Sequence, residues 1–263
     1  MDNRPIGIFD SGLGGLTAVN ALAKTLPNES FIYVGDTARV PYGEKDKDTI
    51  LLYARQIINF LQKKDVKAII VACGTISSNV LPELRAEFSL PIIDVVMPGV
   101  EACLHLQNIN RIGVIATDAT IKSGFFPRMI KENNPAIEVE TCACPLFVPL
   151  IEEGWAQHKV CEHVAEAYLL NWQKKPIDAL ILGCTHYPLL TPILQKVLKN
   201  VTLIDMAVAT METAAKFLTE NNMLNESGNN CKEFYASGDI DKFNRLGQQI
   251  TGTDIQAKQV LWD

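Results

Sequence analysis

The side chains with most chemistry to offer stand at the ends of two apolar runs. Ala179-Leu-Ile-Leu182 leads through Gly183 into Cys184-Thr185-His186, and Ala68-Ile-Ile-Val-Ala72 leads into Cys73-Gly74-Thr75. Each reads as a buried strand, a tight turn and a helix start. Both thiols then sit at the carboxyl end of a strand, where open α/β sheets place their ligands. An unperturbed thiol, with a pKa of ~8.5, is mostly protonated at neutral pH, and a helix N-terminus or nearby cation lowers that value. One thiolate and one thiol on opposite faces of a bound carbon acid form a general base and a general acid. Removing a proton from one face and delivering one to the other inverts the centre. Asp10 and His186 are candidates to position the thiols or relay charge, and Glu152 is a third.

The remaining chemistry-bearing residues sort by spacing. Asp10-Ser11-Gly12-Leu13-Gly14-Gly15 links a short strand to a helix, but Thr17 occupies the last glycine position of a G-x-G-x-x-G fingerprint, so the loop does not read as a dinucleotide site. Its backbone N–H groups at a helix start suit a carboxylate, and Asp10 and Ser11 also suit an N-cap. Cys142-x-Cys144 lacks zinc-ligand spacing, and His158, Cys161 and His163 straddle a helix start without a second cluster, so no metal is expected. Seven cysteines, an odd number behind no leader-like segment, predict free thiols; Cys103, Cys161 and Cys231 read as packing.

The elements that must hold these residues alternate strand and helix. Strands are expected at 5–9, 31–34, 68–72, 91–96, 111–116, 137–141, 179–183, 201–205, 233–236 and 255–261. Helices are expected at 16–25, 47–63, from Cys73 to about 88, and at 100–106, 120–133, 159–173, from Pro188 to about 199, 208–221 and 239–249. Pro98-Gly99 reads as punctuation, 147–154 as a loop, and 221–230 as a polar stretch. The alternation predicts an α/β protein with mostly parallel sheets covered by helices on both faces.

The pattern repeats. Ile6-Gly7-Ile8 matches Ile112-Gly113-Val114, Val40-Pro41 matches Val148-Pro149, Cys73 matches Cys184, and Ile92-Ile93-Asp94 matches Leu203-Ile204-Asp205, at offsets of 106, 108, 111 and 111. Nearly constant offsets, in order, predict two pseudo-symmetric three-layer α/β domains with the site in the cleft between them. The expected division is 1–97 plus 208–263 against 98–207. With 263 residues, 48% hydrophobic and 21% charged, the chain can bury a sizeable core. A formal charge of −6 argues against a nucleic-acid or anionic-membrane surface, so a small molecule is the expected partner. No apolar run approaches the ~18 residues of a membrane span, and the expected location is the cytosol.

Four motifs together carry a resemblance over nearly the whole chain. Asp10-Ser11-Gly-Leu-Gly-Gly15, Gly35-Asp-Thr-Ala-Arg-Val-Pro-Tyr-Gly43, Ala72-Cys-Gly-Thr75 and Gly183-Cys-Thr-His186 resemble the glutamate racemases of the aspartate/glutamate racemase superfamily. The resemblance implies cofactor-independent interconversion of L- and D-glutamate for bacterial peptidoglycan precursors, a homodimer, and Cys73 and Cys184 as the two catalytic bases. It also implies substrate contacts from Asp10, Ser11, Tyr42, Gly43, Gly74, Thr75, Thr185 and His186, with Thr117 and Thr120 adding contacts in the second half. One departure stands out: the family typically reads Cys-Asn-Thr where this chain has Cys73-Gly74-Thr75. The missing amide bears on affinity and substrate breadth; both thiols, Asp10 and His186 remain, so racemisation is expected to survive. An aspartate-acting sister and a non-catalytic amino-acid-binding protein are the alternatives.

Overall fold

A computed structural model describes residues 1–227 and 230–262; residues 228 and 229 of the polar stretch lie outside the described residues. The first half runs β1 (Ile6–Asp10), α1 (Leu16–Thr25), β2 (Phe31–Gly35), α2 (Lys47–Lys63), β3 (Ala68–Val71), α3 (Gly74–Asn79), α4 (Leu81–Glu87), β4 (Ile92–Asp94) and α5 (Val96–Leu104). The second runs β5 (Arg111–Ala116), α6 (Asp118–Lys122), α7 (Phe125–Asn133), β6 (Glu138–Ala143), α8 (Phe147–Glu152), α9 (Lys159–Lys174), β7 (Ala179–Leu182), α10 (Thr191–Val197) and β8 (Thr202–Asp205). α11 (Met206–Glu220), β9 (Lys232–Ala236), α12 (Ile240–Thr251) and β10 (Ala257–Gln259) complete the chain.

The strands form two parallel sheets, ordered β10-β9-β2-β1-β3-β4 and β6-β5-β7-β8. The series β2-β1-β3-β4 and β6-β5-β7-β8 share one order, so the sequence repeat is also a repeat of topology. β9 pairs with β2, so the tail extends the first sheet.

The central strands of each sheet are buried on both faces, as parallel sheets require, and alternate residues serve different cores. Ile6, Ile8 and Ile70 of the first sheet and Ile112, Val114 and Ile181 of the second enter one central core with α1, α5 and α11. Ile69 and Val71 face α2 and α4, and Leu180 and Leu182 face α9 and α10. The halves therefore share an apolar layer, and that layer aims the carboxyl ends of both sheets at one cleft.

Prolines account for most boundary differences. Pro98, Pro149 and Pro82 sit in the first turns of α5, α8 and α4, where a missing backbone N–H leaves no helical bond unmade. Hence 147–152 is helical where a loop was expected, and Pro98-Gly99 lies inside α5. β4 stops at Asp94 because the Asp94 carboxylate accepts the N–H groups of Val96 and Met97, both at 2.9 Å, starting α5 early. The stretch after Cys73 is two helices broken at Val80, and 118–133 is two helices broken at Gly124, whose φ is +63°.

Candidate active site

Cys73 caps α3 at the end of β3, and Cys184 follows β7 just before a single 3₁₀ turn at Tyr187–Leu190. Both side chains are buried. Cys73 Sγ donates toward Ser11 Oγ at 3.7 Å, and Cys184 Sγ lies 3.7 Å from His186 Nδ1. His186 Nε2 is in turn 2.7 Å from Glu152 Oε1, an oxygen that also accepts the Leu13 N–H at 2.9 Å. Glu152 thus ties the second-half histidine to the first-half loop, a larger part than an isolated loop carboxylate suggests.

The glycine loop is a carboxylate cradle, but its tenants belong to the protein. The N–H groups of Gly12 and Gly15 donate to Asp10 Oδ2 at 3.2 and 2.9 Å, and Leu13 serves Glu152. These three donors are therefore spoken for, which corrects the expectation of a loop open to a ligand carboxylate. Asp10 Oδ1 accepts Thr185 Oγ1–H at 3.2 Å, a second link between the halves. Close approach is what the loop needs glycine for: a Cβ on Gly14 would lie 2.3 Å from His186 Nδ1.

Hydroxyls from both halves form a second group. Thr75 Oγ1 is 3.0 Å from Thr117 Oγ1, which donates to Thr120 Oγ1 at 3.0 Å. Gly43 lies beside them, since a Cβ there would sit 2.5 Å from Thr117 Cβ. Tyr42 turns away: its hydroxyl donates to Asp36, its ring packs on Tyr53, and it is buried. At Gly74 the space of a side chain is filled by the opposite turn, because a Cβ would meet the Gly183 carbonyl oxygen at 2.5 Å.

The two thiols differ electrically. Burial, followed by the nearby charge of Asp10, pushes the Cys73 thiol well above its ordinary value, so it is held protonated. For His186 burial opposes the charged ring, but hydrogen bonds to Cys184 and Glu152 outweigh it and hold the ring above its ordinary value. Burial likewise works against the Glu152 carboxylate, and His186 overcomes it, holding that carboxyl below the usual range. The result is an imidazolium bridging a carboxylate and Cys184 Sγ.

Some supporting residues carry no signal in sequence. Tyr33, an ordinary aromatic of a buried strand, donates its hydroxyl to the Gly12 carbonyl at 2.7 Å, and Thr17 Oγ1 bonds the carbonyls of Gly14 and Thr185 at 2.8 and 3.2 Å. Asp36 is held by Arg39, Ser237 and Trp262, the last two from the far end of the chain. Among the described residues no group of three His, Cys, Asp or Glu side chains is placed to hold a metal ion.

A sequence model described as Asp/Glu/Hydantoin racemase matches residues 11–214. The chain belongs to the Asp/Glu/Hydantoin racemase family. A glutamate racemase of Neisseria meningitidis serogroup C is 44% identical over 98% of this chain and 96% of its own. Among solved structures, a glutamate racemase from Francisella tularensis in complex with D-glutamate superposes with a TM-score of 0.92 at 43% identity, covering 99% of this chain and 98% of that one. A Bacillus anthracis glutamate racemase isoform gives a TM-score of 0.94 at 32% identity with coverage of 99% and 98%. In this racemase-family chain the repeated dipeptides Val40-Pro41 and Val148-Pro149 line one cavity of about 390 Å³, against Leu13 and Glu152. The repeat units thus meet beside Glu152 as well as at the Thr75–Thr117 hydroxyls.

Proposed function

We propose that the protein interconverts L- and D-glutamate by two-base proton transfer between Cys73 and Cys184. The reading rests on one observation above all: equivalent cysteines at the carboxyl ends of β3 and β7, on two sheets aimed at one cleft. The substrate follows from the relatives, which are named glutamate racemases, one of them in complex with D-glutamate.

Thr75, Thr117 and Thr185 hydroxyls, Ser11 and the backbone at Tyr42, Gly43 and Gly74 clamp the two carboxylates, fixing the α-carbon between the sulfurs. Cys184, beside the His186 imidazolium, takes the α-proton of L-glutamate, and the protonated Cys73 delivers a proton to the opposite face, giving D-glutamate. The reverse direction uses the thiols in exchanged roles. Asp10 and Glu152 do not reach the α-carbon in this scheme. Asp10 favours the protonated Cys73, and Glu152 steadies His186. Exclusion of water strengthens each polar contact around the developing carbanion.

The reading takes 1–97 with 208–263 as one domain and 98–207 as the other, a homodimer as the assembly, and the bacterial cytoplasm, with supply of D-glutamate for peptidoglycan, as the setting. Among the described residues no helix is long and apolar enough to cross a membrane.

Proton NMR in D2O with L-glutamate, followed by chiral chromatography, tests the reaction. Loss of the α-proton signal with appearance of D-glutamate is expected, at a kcat/KM exceeding that on aspartate. Cys73→Ser should lower net racemisation about 10²–10⁴-fold in both directions, because each direction needs both an acid and a base. Unchanged turnover by that variant would end the two-thiol scheme.

A further inference from the structure

Two thiols outside the proposed chemistry lie side by side. Cys142 and Cys144 stand two residues apart at the end of β6, an edge strand, so their side chains share a face. Their sulfurs are 3.9 Å apart, Cys144 donating to Cys142. Two residues along a strand separate Cα atoms by roughly 6.6 Å, near the upper end of the ~4.4–6.8 Å that a disulfide spans. Cys142 is half-buried, whereas Cys144 is fully buried. Zinc would need further ligands, and among the described residues none gather.

We propose that Cys142 and Cys144 form a reversible dithiol–disulfide site, oxidised by hydroperoxides, whose closure slows the Cys184 turn. Cys142 is the attacking thiol: it is the more accessible, and the Cys144 hydrogen bond holds it below the ordinary thiol value while burial resists. The Cys142 thiolate attacks the terminal peroxide oxygen, the O–O bond breaks, and after protonation the products are a sulfenic acid at Cys142 and an alcohol, or water from hydrogen peroxide. The Cys144 sulfur then attacks Cys142 Sγ, its proton leaves with the hydroxyl as water, and the S–S bond forms. Two thiols lose two electrons and the peroxide gains them. A bridge stretched to the upper end of that range is strained, and strained disulfides are the readily reduced, regulatory kind.

The link to the site runs through the Cys144 main chain and the Tyr187 side chain. The Cys144 carbonyl accepts the Tyr187 hydroxyl at 2.9 Å, and Tyr187 N–H donates to the Cys184 carbonyl at 3.0 Å. Cys144 N–H donates to the Ala116 carbonyl at 2.9 Å, one residue before Thr117. Drawing the sulfurs from 3.9 Å to the ~2.05 Å of a bond moves Cys144 and with it the acceptor that holds Tyr187.

The test is graded hydrogen peroxide on the full-length protein, alkylation of free thiols, trypsin digestion and mass spectrometry. The peptide 132–159 contains Cys142 and Cys144 and no other cysteine. The expected result is loss of two hydrogens within that peptide, with neither thiol alkylated, reversed by dithiothreitol. At doses that leave the Cys73 and Cys184 peptides fully alkylated, wild type should lose turnover that dithiothreitol restores, while Cys142→Ser keeps its turnover. Alkylation of both thiols after peroxide overturns the disulfide, and a formed disulfide with unchanged turnover overturns the coupling. The turnover arm rests on the racemase reading, whereas the peptide mass does not. Reduced protein that fails to racemise glutamate would therefore count against that reading alone.

Discussion

At Cys73 and Cys184 one side chain meets two different surroundings. Cys73 is buried beside the charge of Asp10, and both favour a neutral thiol against the opposing hydrogen bond of Ser11; Cys184 has a histidine backed by a carboxylate. His186 titrates higher in the folded chain than in the unfolded one, so above its ordinary pKa of 6.5 the folded state keeps a proton that the unfolded state has released. Its stabilisation is complete below that value and is lost as pH rises toward the folded pKa. The Tm advantage of wild type over His186→Asn should therefore be largest near about pH 6 and shrink steadily toward about pH 9 in a thermal-shift series. A constant difference would argue against a charged ring. The same variant should lower kcat/KM by about 10²-fold, equally from either enantiomer, because L- and D-glutamate have equal free energy. At Gly74, alanine would place Cβ 2.5 Å from the Gly183 carbonyl and force the two turns apart. Gly74→Ala should cost about 1–3 kcal/mol in urea unfolding and lower turnover along with stability.

Among the elements, α5 shows how one carboxylate sets a boundary. Asp94 accepts two N–H groups of the first turn and also Arg85 Nη2 at 3.1 Å, and Asp205 caps α11 in the repeat-related place through the Ala207 N–H at 2.9 Å. Both aspartates end a strand and start a helix that packs on the central core. Asp94→Ala should cost about 1–2 kcal/mol, seen as a lower urea midpoint at unchanged m-value. α8 makes the same point from the other side: Val-Pro signals a turn by composition, yet in a helix's first turn proline is a good starter, and this helix carries Glu152.

On the scale of the whole molecule, segments far apart in the chain are pinned together at the start of β3. Lys67 Nζ is fully buried, 2.6 Å from Glu29, and donates to the carbonyls of Asp2 and Met223 at 2.8 and 2.7 Å. The N-terminus, the start of β3 and the segment after α11 thus meet at one cation. Lys67→Met would leave Glu29 buried without its counter-charge and should cost about 3–5 kcal/mol in chemical denaturation. Adding Glu29→Gln should recover part of that loss, since the penalty belongs to the stranded charge.

How much was legible follows from the range of each interaction. Strand and helix order, the repeat, and the pairing of Cys73 with Cys184 are local patterns of apolar residues ending in turns, and such patterns are written along the chain. The glycine loop was legible as a cradle for carboxylates but not as one already holding Asp10 and Glu152, because Glu152 lies 139 residues from Leu13. Tyr33, Thr17 and the Asp36–Trp262 contact were not legible, since their side chains are ordinary for their elements and their partners are distant in sequence. The amino-acid sequence by itself determined two repeated α/β halves and a thiol at the same strand end in each, because backbone periodicity and turn chemistry are short-range. Only the tertiary structure decided that the halves share one apolar core, that Gly183 fills the space beside Gly74, and that one thiol faces an aspartate while the other faces an imidazolium. The first two depend on packing between segments about a hundred or more residues apart, and the third on Asp10 and Glu152 reaching groups well beyond their own elements, so burial and Coulomb interactions there are set by distance in space.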